Sequence, residues 1–444
     1  MQPVVTPAEV KAIDEAALAR EELDDILARV GDAICRAVIR LLGGTYGRRV
    51  NVLIGPGLNG ADAASAARRL ERRGVRVRRI VLGELPDVLP PADLTLDGLF
   101  GIGLSRPFEA PDPGGAPVVA IDLPSGIDAD TGRANGRPFV ADHTLALMAF
   151  KPGLLLGDGP AHAGRIQVLD IELDPGEAGI HHVEDHDVAG WLPARAPDAH
   201  KWKHALLVVA GSPGMTGASH LACRGAMRMG AGYVHLDSAA RIDPNVPTEV
   251  VASLAGSGVR ADHSRFAAAV VGPGLSRSIG AVELVRAVLG AVEAPVVLDG
   301  DGLSAVVGAL EVVRDRAHAT VLTPHHGEFE RLAGEPVGDD RIAATRRLAE
   351  DLQATILLKG PTTVVAAPDG RVLLCTAGDE RLATAGTGDV LAGMIGALLA
   401  QGLEPLEAAA TGAHLHGRAG TLGPAVGLVA GDLPDLVPAA IAGL

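Results

Sequence analysis

An α/β protein of two domains, each built on a mainly parallel sheet, is what this 444-residue sequence predicts. Three observations carry the prediction. Apolar strand-like runs alternate with glycine turns and helical runs, and that rhythm calls for parallel strands with crossover helices. The length exceeds what one ordinary core organises, so two domains are expected. Hydrophobic residues make up 48% of the chain and aromatics only 2%, so two cores must be built from Ala, Val, Leu and Ile.

In the first half, Val50–Ile54 reads as a buried strand and GPGLNGAD as a glycine-rich turn. Ala63–Arg73 reads as a helix closed by Gly74, and Val75–Leu82 as the next strand. Further on, LTLDGLFGIG and VVAIDLPSGIDADTG each pair a strand end with an aspartate, Asp97 and Asp122. Ligands in open parallel sheets lie beyond the carboxyl ends of strands, so both aspartates face the expected crevice. The stretch 174–200 is rich in Pro, Asp and His and reads as a linker with short ordered pieces. His181, His182 and His186 lie there without further ligands near them in sequence, so a solvated linker is expected over a metal site. The domains are expected at 1–190 and 191–444.

The second half repeats strand, turn and helix without a convincing repeat of the first. A strand at Ala205–Ala210 leads through a glycine turn to a helix ending near Gly230. Strands follow at Ala268–Val271, Val296–Asp299, Thr320–Thr323 and Thr355–Leu358, with short ones at Thr363–Ala366 and Val372–Cys375. Each longer strand runs into a turn rich in polar or glycine residues, which places many candidate groups on one sheet edge.

The formal charge of −15 argues against general binding to nucleic acid or anionic membrane. The concentrated basic run Arg68–Arg79 reads as a solvated helix face followed by a strand, with contact to an extra ligand phosphate as the alternative. Cys35, Cys223 and Cys375 show no metal or redox spacing, which fits a reduced cytoplasm. The N-terminal residues lack a signal-peptide pattern, and no apolar run is long enough to span a bilayer.

The segment AGTGDVLAGMIGALLAQG, Ala385–Gly402, carries the most chemistry. Glycines at a helix start let a phosphate approach free backbone N–H groups. A carboxylate beside that anion hole, Asp389, suits proton abstraction from an alcohol attacking a phosphoryl group. The alternative is a glycine turn whose aspartate only complements the helix dipole.

GPGLNGAD, DGLFGIGLSRP and AIDLPSGIDADTG resemble, in that order, the epimerase domain of the NAD(P)H-hydrate repair enzymes. GSPGMTGA, VVGPGLS, VLDGDGLS, TPHHGEFERL, LKGPTT and LATAGTGDVLAG resemble their dehydratase domain. Nine motifs in family order cover nearly the whole chain. The resemblance implies a Rossmann-like three-layer α/β/α domain followed by a ribokinase-like α/β domain. It implies interconversion of the two epimers of hydrated NADH and NADPH, and ADP-dependent dehydration of the S epimer with release of AMP and phosphate. ADP, magnesium and potassium are the implied cofactors, and a homo-oligomer is expected. The rival reading is a ribokinase-like small-molecule kinase whose first half only binds.

By the same resemblance Asp389 is the general base, and Gly386, Thr387 and Gly388 hold the transferring phosphate. Lys359, Gly360, Pro361, Thr362 and Thr363, with Asp379, Glu380, Arg381, Leu382, Ala383, Thr384 and Ala385, are the implied ADP segments. Ala218, Gly274 and the run His325, His326, Gly327, Glu328, Phe329, Glu330 and Arg331 are the implied contacts to the hydrated cofactor. Glu328 alternatively supplies only a favourable charge at a helix start. Asp301 either helps hold a magnesium–nucleotide or caps a turn. In the first half Asn59, Asp97 and Ser125 are the implied potassium ligands, and Asp122 the acid–base residue. Its alternative is a cap on the Pro-Ser-Gly turn. Leu58, Asn59, Gly60, Ala61 and Asp62, with Gly101, Ile102, Gly103, Leu104, Ser105, Arg106 and Pro107, would cradle the cofactor.

The chain departs from the family pattern in several places. Leu58 and Ala61 stand where the usual loop has an amide and a glycine, and Ala61 would shift the loop if that position needed positive φ. The run Ile26-Leu27-Ala28-Arg29-Val30-Gly31 replaces the usual early-helix sequence. Asp379-Glu380 replaces an Asn-Pro and adds negative charge to the expected nucleotide loop.

Overall fold

The computed structural model describes residues 1–104, 106–240, 243–254 and 263–444. These form two compact units, Gln2–Ile180 and His181–Leu444 with Met1. The boundary falls at 180/181 and not at 190/191 because the helix Asp185–Trp191 buries Val188 in the core of the second unit. The expected linker is ordered over that helix and the strand Ile180–His182.

The first unit carries a six-stranded sheet in the order Arg76–Val81, Arg49–Ile54, Leu94–Gly98, Val118–Ile121, His143–Leu147, Arg165–Leu169. Every pairing in it is parallel. Successive strand residues face opposite sides, so Val50 and Val52 pack with Ile34, Val38 and Leu70 of the helices Leu23–Leu42 and Leu58–Arg72, whereas Leu53 joins Leu99, Phe108 and Phe139. The two helices approach closely where Gly31 meets Ser65, since a Cβ on Gly31 would lie 2.4 Å from the serine Oγ.

The helix expected at Ala63 begins at Leu58. Gly60 reads as a loop residue but is helical because it must be small, its Cβ position being 2.0 Å from the carbonyl oxygen of Gly55. The GLNGAD run is therefore a helix N-terminus laid against a strand end. Ala61 has no positive φ, so replacing glycine there leaves the backbone undisturbed.

In the second unit a sheet runs Val372–Cys375, Thr363–Ala366, Thr355–Leu358, Thr320–Leu322, Val296–Leu298, Ala268–Val271, Ala205–Val209, Tyr233–Ser238, Val251–Leu254. The first two pairings are antiparallel and the rest parallel. The helix Thr387–Ala400 is apolar nearly all round and accordingly buried, with Asp389 in its first turn. It packs on the helix Thr216–Arg228 at backbone distance: Cβ atoms on Gly393 and Gly225 would lie 1.9 Å from Ala222 O and 2.4 Å from Val390 O. Small residues on both helices bring their two N-termini to the carboxyl edge of the sheet.

Among the described residues no helix is long and apolar enough to cross a membrane. The three cysteines are free and buried.

Candidate active sites

In the first unit a cavity of about 550 Å³ opens at the carboxyl ends of the strands. Of the residues expected to cradle a ligand, Leu58, Asn59, Asp62, Gly101, Ile102, Gly103, Leu104, Arg106 and Asp122 line it. Gly60, Ala61 and Pro107 do not, Gly60 being packed against Gly55. Ser105 lies outside the described residues. Ile26, Leu27 and Val30, the run that departs from the family pattern, supply an apolar wall. No arginine of the basic run Arg68–Arg79 lines the cavity. Arg73 pairs with Asp32 at 3.1 Å and Arg79 with Glu71 at 2.6 Å.

Asp122 follows the strand Val118–Ile121 at φ 68°, a conformation aspartate tolerates better than most side chains. Its Oδ1 is paired with the ammonium of Lys151 and accepts from Leu147 N–H at 3.2 Å. Lys151 is 1% exposed and also donates to the carbonyls of Leu147 at 2.7 Å and Ala149 at 3.3 Å. Burial of the whole ion pair leaves Asp122 fixed at the cavity wall.

Two more acids line the same cavity. Burial, then the charges of Asp122 and Asp14, push Asp62 up to about 8. Asp14 is raised chiefly by burial as well. The cavity thus combines one carboxylate locked to a cation with a carboxyl that keeps its proton at neutral pH. Sequence reasoning missed Lys151 and Asp14, which lie far from the motifs.

The three residues expected around potassium come together. Ser125 donates Oγ–H to Asp97 Oδ1 at 2.7 Å and N–H to Oδ2 at 2.8 Å. Asn59 Nδ2 donates to the carbonyls of Phe100 at 3.0 Å and Ile121 at 3.2 Å, while its Oδ1 is buried without a hydrogen-bond partner. Burial raises Asp97 to about 6 against the bonds from Ser125 and Leu99. An orphaned amide oxygen beside a buried carboxylate fits a hard cation held by oxygen ligands.

In the second unit Gly386 begins the helix Thr387–Ala400 at φ 94°, a turn that suits glycine. Thr387 Oγ1 donates back to Leu382 O at 2.9 Å and Thr384 O at 3.0 Å, so its hydroxyl braces the turn. His416, which burial lowers to about 4, bonds the Thr387 carbonyl at 2.9 Å as a neutral ring. Asp389 is raised to about 7 by burial and by the charge of Asp299, with Lys359 opposing.

Lys359 ends its strand in contact with Asp299, at 2.7 Å, and beside the first turn of the helix. Burial disfavours its charge, yet the carboxylates of Asp299, Glu328 and Asp389 carry the ammonium above its ordinary value. Gly360 is packed against the guanidinium of Arg341, which donates to the carbonyls of Leu358 at 3.4 Å and Lys359 at 3.3 Å. Thr362 is buried and Thr363 half-buried, while Pro361 is exposed. Asp299 and Arg341 were not legible as site residues, because their partners are distant in sequence.

Gly274 and Ala218 meet. At φ 61°, a Cβ on Gly274 would lie 2.9 Å from Ala218 Cβ. His325 caps the helix His326–Ala333 through Gly327 N–H, and Glu328 Oε2 accepts from His325 N–H at 2.9 Å. Glu328 is therefore committed to a capping box, and Phe329, 1% exposed, to the core. His326, Glu330 and Arg331 are exposed. Asp301 accepts Ser276 N–H at 2.8 Å and holds that turn. Asp379 is held low by its hydrogen bonds with Arg381. Arg381 also donates to Gly423 O at 3.0 Å, so the charge added at Asp379 is offset locally. Glu380, Ala383 and Ala385 are exposed; Leu382 and Thr384 are half-buried.

Comparison with known proteins decides the family. Residues 206–441 match the model of NAD(P)H-hydrate dehydratase, and 23–90 and 82–153 that of the YjeF-related protein N-terminus. A bifunctional NAD(P)H-hydrate repair enzyme of Salinibacter ruber is 37% identical over 89% of this chain and 82% of that one. The corresponding Mycobacterium leprae enzyme is 38% identical over 93% and 92%. The chain belongs to the bifunctional NAD(P)H-hydrate repair family. An ADP/ATP-dependent NAD(P)H-hydrate dehydratase from Bacillus subtilis, co-crystallised with ATP and Mg2+, is similar at TM-score 0.52 and 31% identity, covering 59% of this chain and 97% of that one. A ribokinase-like protein from Enterococcus faecalis, at TM-score 0.54 and 22% identity over 60% of this chain and 96% of that one, shares the fold of the second unit.

Proposed function

We propose that the chain repairs hydrated NADH and NADPH, its second unit dehydrating the S epimer with ADP and its first interconverting the epimers. The observation that carries this reading is Asp389, raised to about 7 and set in the first turn after Gly386-Thr387-Gly388. A base poised near neutral pH beside free backbone donors suits phosphoryl transfer to an alcohol. The substrate hydroxyl oxygen attacks the terminal phosphorus of ADP, its proton passes to Asp389, and the bond to AMP breaks with the electron pair leaving on AMP. Phosphate then departs from the ring carbon as a proton leaves its neighbour, restoring the double bond of the reduced ring. Magnesium would enter with the nucleotide phosphates, since this ion keeps most of its shell from phosphates and water and takes only one or two protein carboxylates.

In the first unit Asp122 is the acid–base residue, held by Lys151, and Arg106 pairs with a phosphate of the cofactor. Asn59, Asp97 and Ser125 would hold potassium, which would supply fixed positive charge beside Asn59. The chain acts in the cytoplasm as a homo-oligomer, a setting in keeping with three free buried cysteines.

The test mixes the purified protein with both epimers of NADH hydrate, with and without ADP and magnesium, following absorbance of the reduced ring. ADP-dependent recovery of the whole pool, faster than spontaneous epimerisation, is expected. Recovery of the S fraction alone removes the epimerase role. A phosphorylated product that accumulates without reduced cofactor replaces the repair reading by the kinase one.

A further inference from the structure

Three neighbouring parallel strands end in a row of polar side chains: Asp299 after Val296–Leu298, Thr323 after Thr320–Leu322 and Lys359 after Thr355–Leu358. Asp299 is 3% exposed and Thr323 fully buried. One carboxylate oxygen, Asp299 Oδ1, accepts from Lys359 Nζ at 2.7 Å and from Thr323 Oγ1 at 2.6 Å. The same ammonium lies on the first turn of the helix Thr387–Ala400. A Cβ on Gly388 would stand 3.2 Å from Lys359 Nζ and 3.9 Å from Asp299 Oδ2.

We propose that Asp299 is a positioning residue for dehydration: with Thr323 it fixes the Lys359 ammonium at the Gly386–Gly388 turn, against the phosphoryl group in transfer. The inference rests on the dehydratase reading of this unit. A lysine is a compact charge on a flexible stem, and only a fixed partner confines it to one spot. The partner here is itself pinned by a buried hydroxyl, so the constraint runs from the sheet to the ammonium. A buried ion pair is weak evidence for stability, and a negative charge beside a phosphate site works against anion binding. An acid here is therefore retained at some cost, and the return is a cation that cannot swing away. As the oxygen–phosphorus bond forms and the bond to AMP breaks, charge spreads over the phosphoryl oxygens and Lys359 stabilises it from a set position. Lys359 makes no covalent bond, and the hydroxyl proton still goes to Asp389.

The test measures steady-state dehydration of S-NADH hydrate by the full chain with ADP and magnesium, for Asp299→Asn, Thr323→Val, Lys359→Met and the Asp299→Asn/Lys359→Met double variant. Lys359→Met is expected to lower kcat on the order of 10²-fold. Asp299→Asn should lower it about 10- to 100-fold, because a misplacement near 1 Å costs that much. KM for ADP should move less than about threefold in Asp299→Asn. The double variant should stay within about threefold of Lys359→Met alone, since both act through one group.

The pH profile separates the charge of Asp299 from its positioning role, which the kcat-against-KM split and the double variant report. Asp389 faces the charges of Asp299, Lys359, Asp301 and Glu328. Removing the Asp299 charge should move the ascending limb of kcat to lower pH, and removing that of Lys359 should move it to higher pH. Thr323→Val, which keeps both charges, should give a smaller loss of kcat with the limb unmoved, and it stands in if Asp299→Asn does not fold. Losses that multiply in the double variant, or wild-type kcat in Asp299→Asn or Thr323→Val, overturn the inference alone. A wild-type chain that converts no S-NADH hydrate with ADP or ATP overturns the dehydratase reading and the inference with it.

Discussion

Asp122 and Lys151 show how a buried ion pair fixes the proposed acid–base residue to the fold. The lysine spends its N–H groups on Asp122 and on the carbonyls of Leu147 and Ala149, so it reaches the reaction only through the aspartate. Asp122→Ala is expected to slow epimer interconversion about 10²- to 10⁴-fold while ADP-dependent dehydration of the S epimer persists. Unchanged interconversion, followed by chromatography of the two epimers, sinks the assignment. Lys151→Met should instead cost about 3–5 kcal/mol of stability in the first unit, because it strands a buried carboxylate. Urea unfolding measures that loss. Asp122 was legible from its motif. Lys151 was not, because nothing local marks a lysine whose partner lies 29 positions away. Asp299 was hidden for the same reason, its lysine lying 60 positions on.

At the scale of elements, the dehydratase-like site depends on two helices that touch through glycine. Gly393 and Gly225 let Thr216–Arg228 and Thr387–Ala400 approach backbone to backbone, and the first turns of both carry proposed site residues. Gly393→Ala puts a methyl group where the Ala222 carbonyl oxygen stands. It is expected to cost about 1–3 kcal/mol and to lower dehydration kcat as the Gly386–Gly388 turn shifts. Gly290→Ala is the matching control, since a Cβ there meets nothing within 4 Å. It should leave kcat unchanged and add up to about 1 kcal/mol through the helix preference for alanine. Equal effects of the two substitutions on kcat refute the packing argument. The strand positions were legible because fully buried parallel strands read as continuous apolar runs. The helix start at Leu58 was not, because Gly60 owes its identity to a contact with Gly55 and not to a turn.

Across the whole molecule, each unit keeps a site-lining acid protonated far above the ordinary aspartate range. Asp62 is pushed to about 8 in the first unit and Asp389 to about 7 in the second, burial being the larger cause in both. In the unfolded chain each would lose its proton near pH 4. Between that pH and the folded value, the folded state binds more protons than the unfolded state. Stability from these groups is therefore greatest at acid pH and declines as pH rises, through about 7 in one unit and about 8 in the other. The direction is opposite to that of a salt-bridged carboxylate, so acidification from pH 8 to pH 5 should relieve strain at both sites. Asp62→Asn and Asp389→Asn, each without the charge, should lie nearer the wild type at pH 5 than at pH 8, converging with it toward about pH 4. At pH 8 each should be more stable in its own unit, on the order of 2 kcal/mol. Each variant should also lose the activity of that unit, epimer interconversion for Asp62→Asn and dehydration for Asp389→Asn, since the strained acid is the one placed in the site. Denaturant midpoints across pH 5 to 8 measure the stability arm. Midpoints that run parallel to the wild type would mean that neither carboxyl is strained by its surroundings. A stabilised variant that keeps full activity would separate the strain from the chemistry. The expected exchange, stability gained exactly where activity is lost, is what ties the buried acids of both units to function.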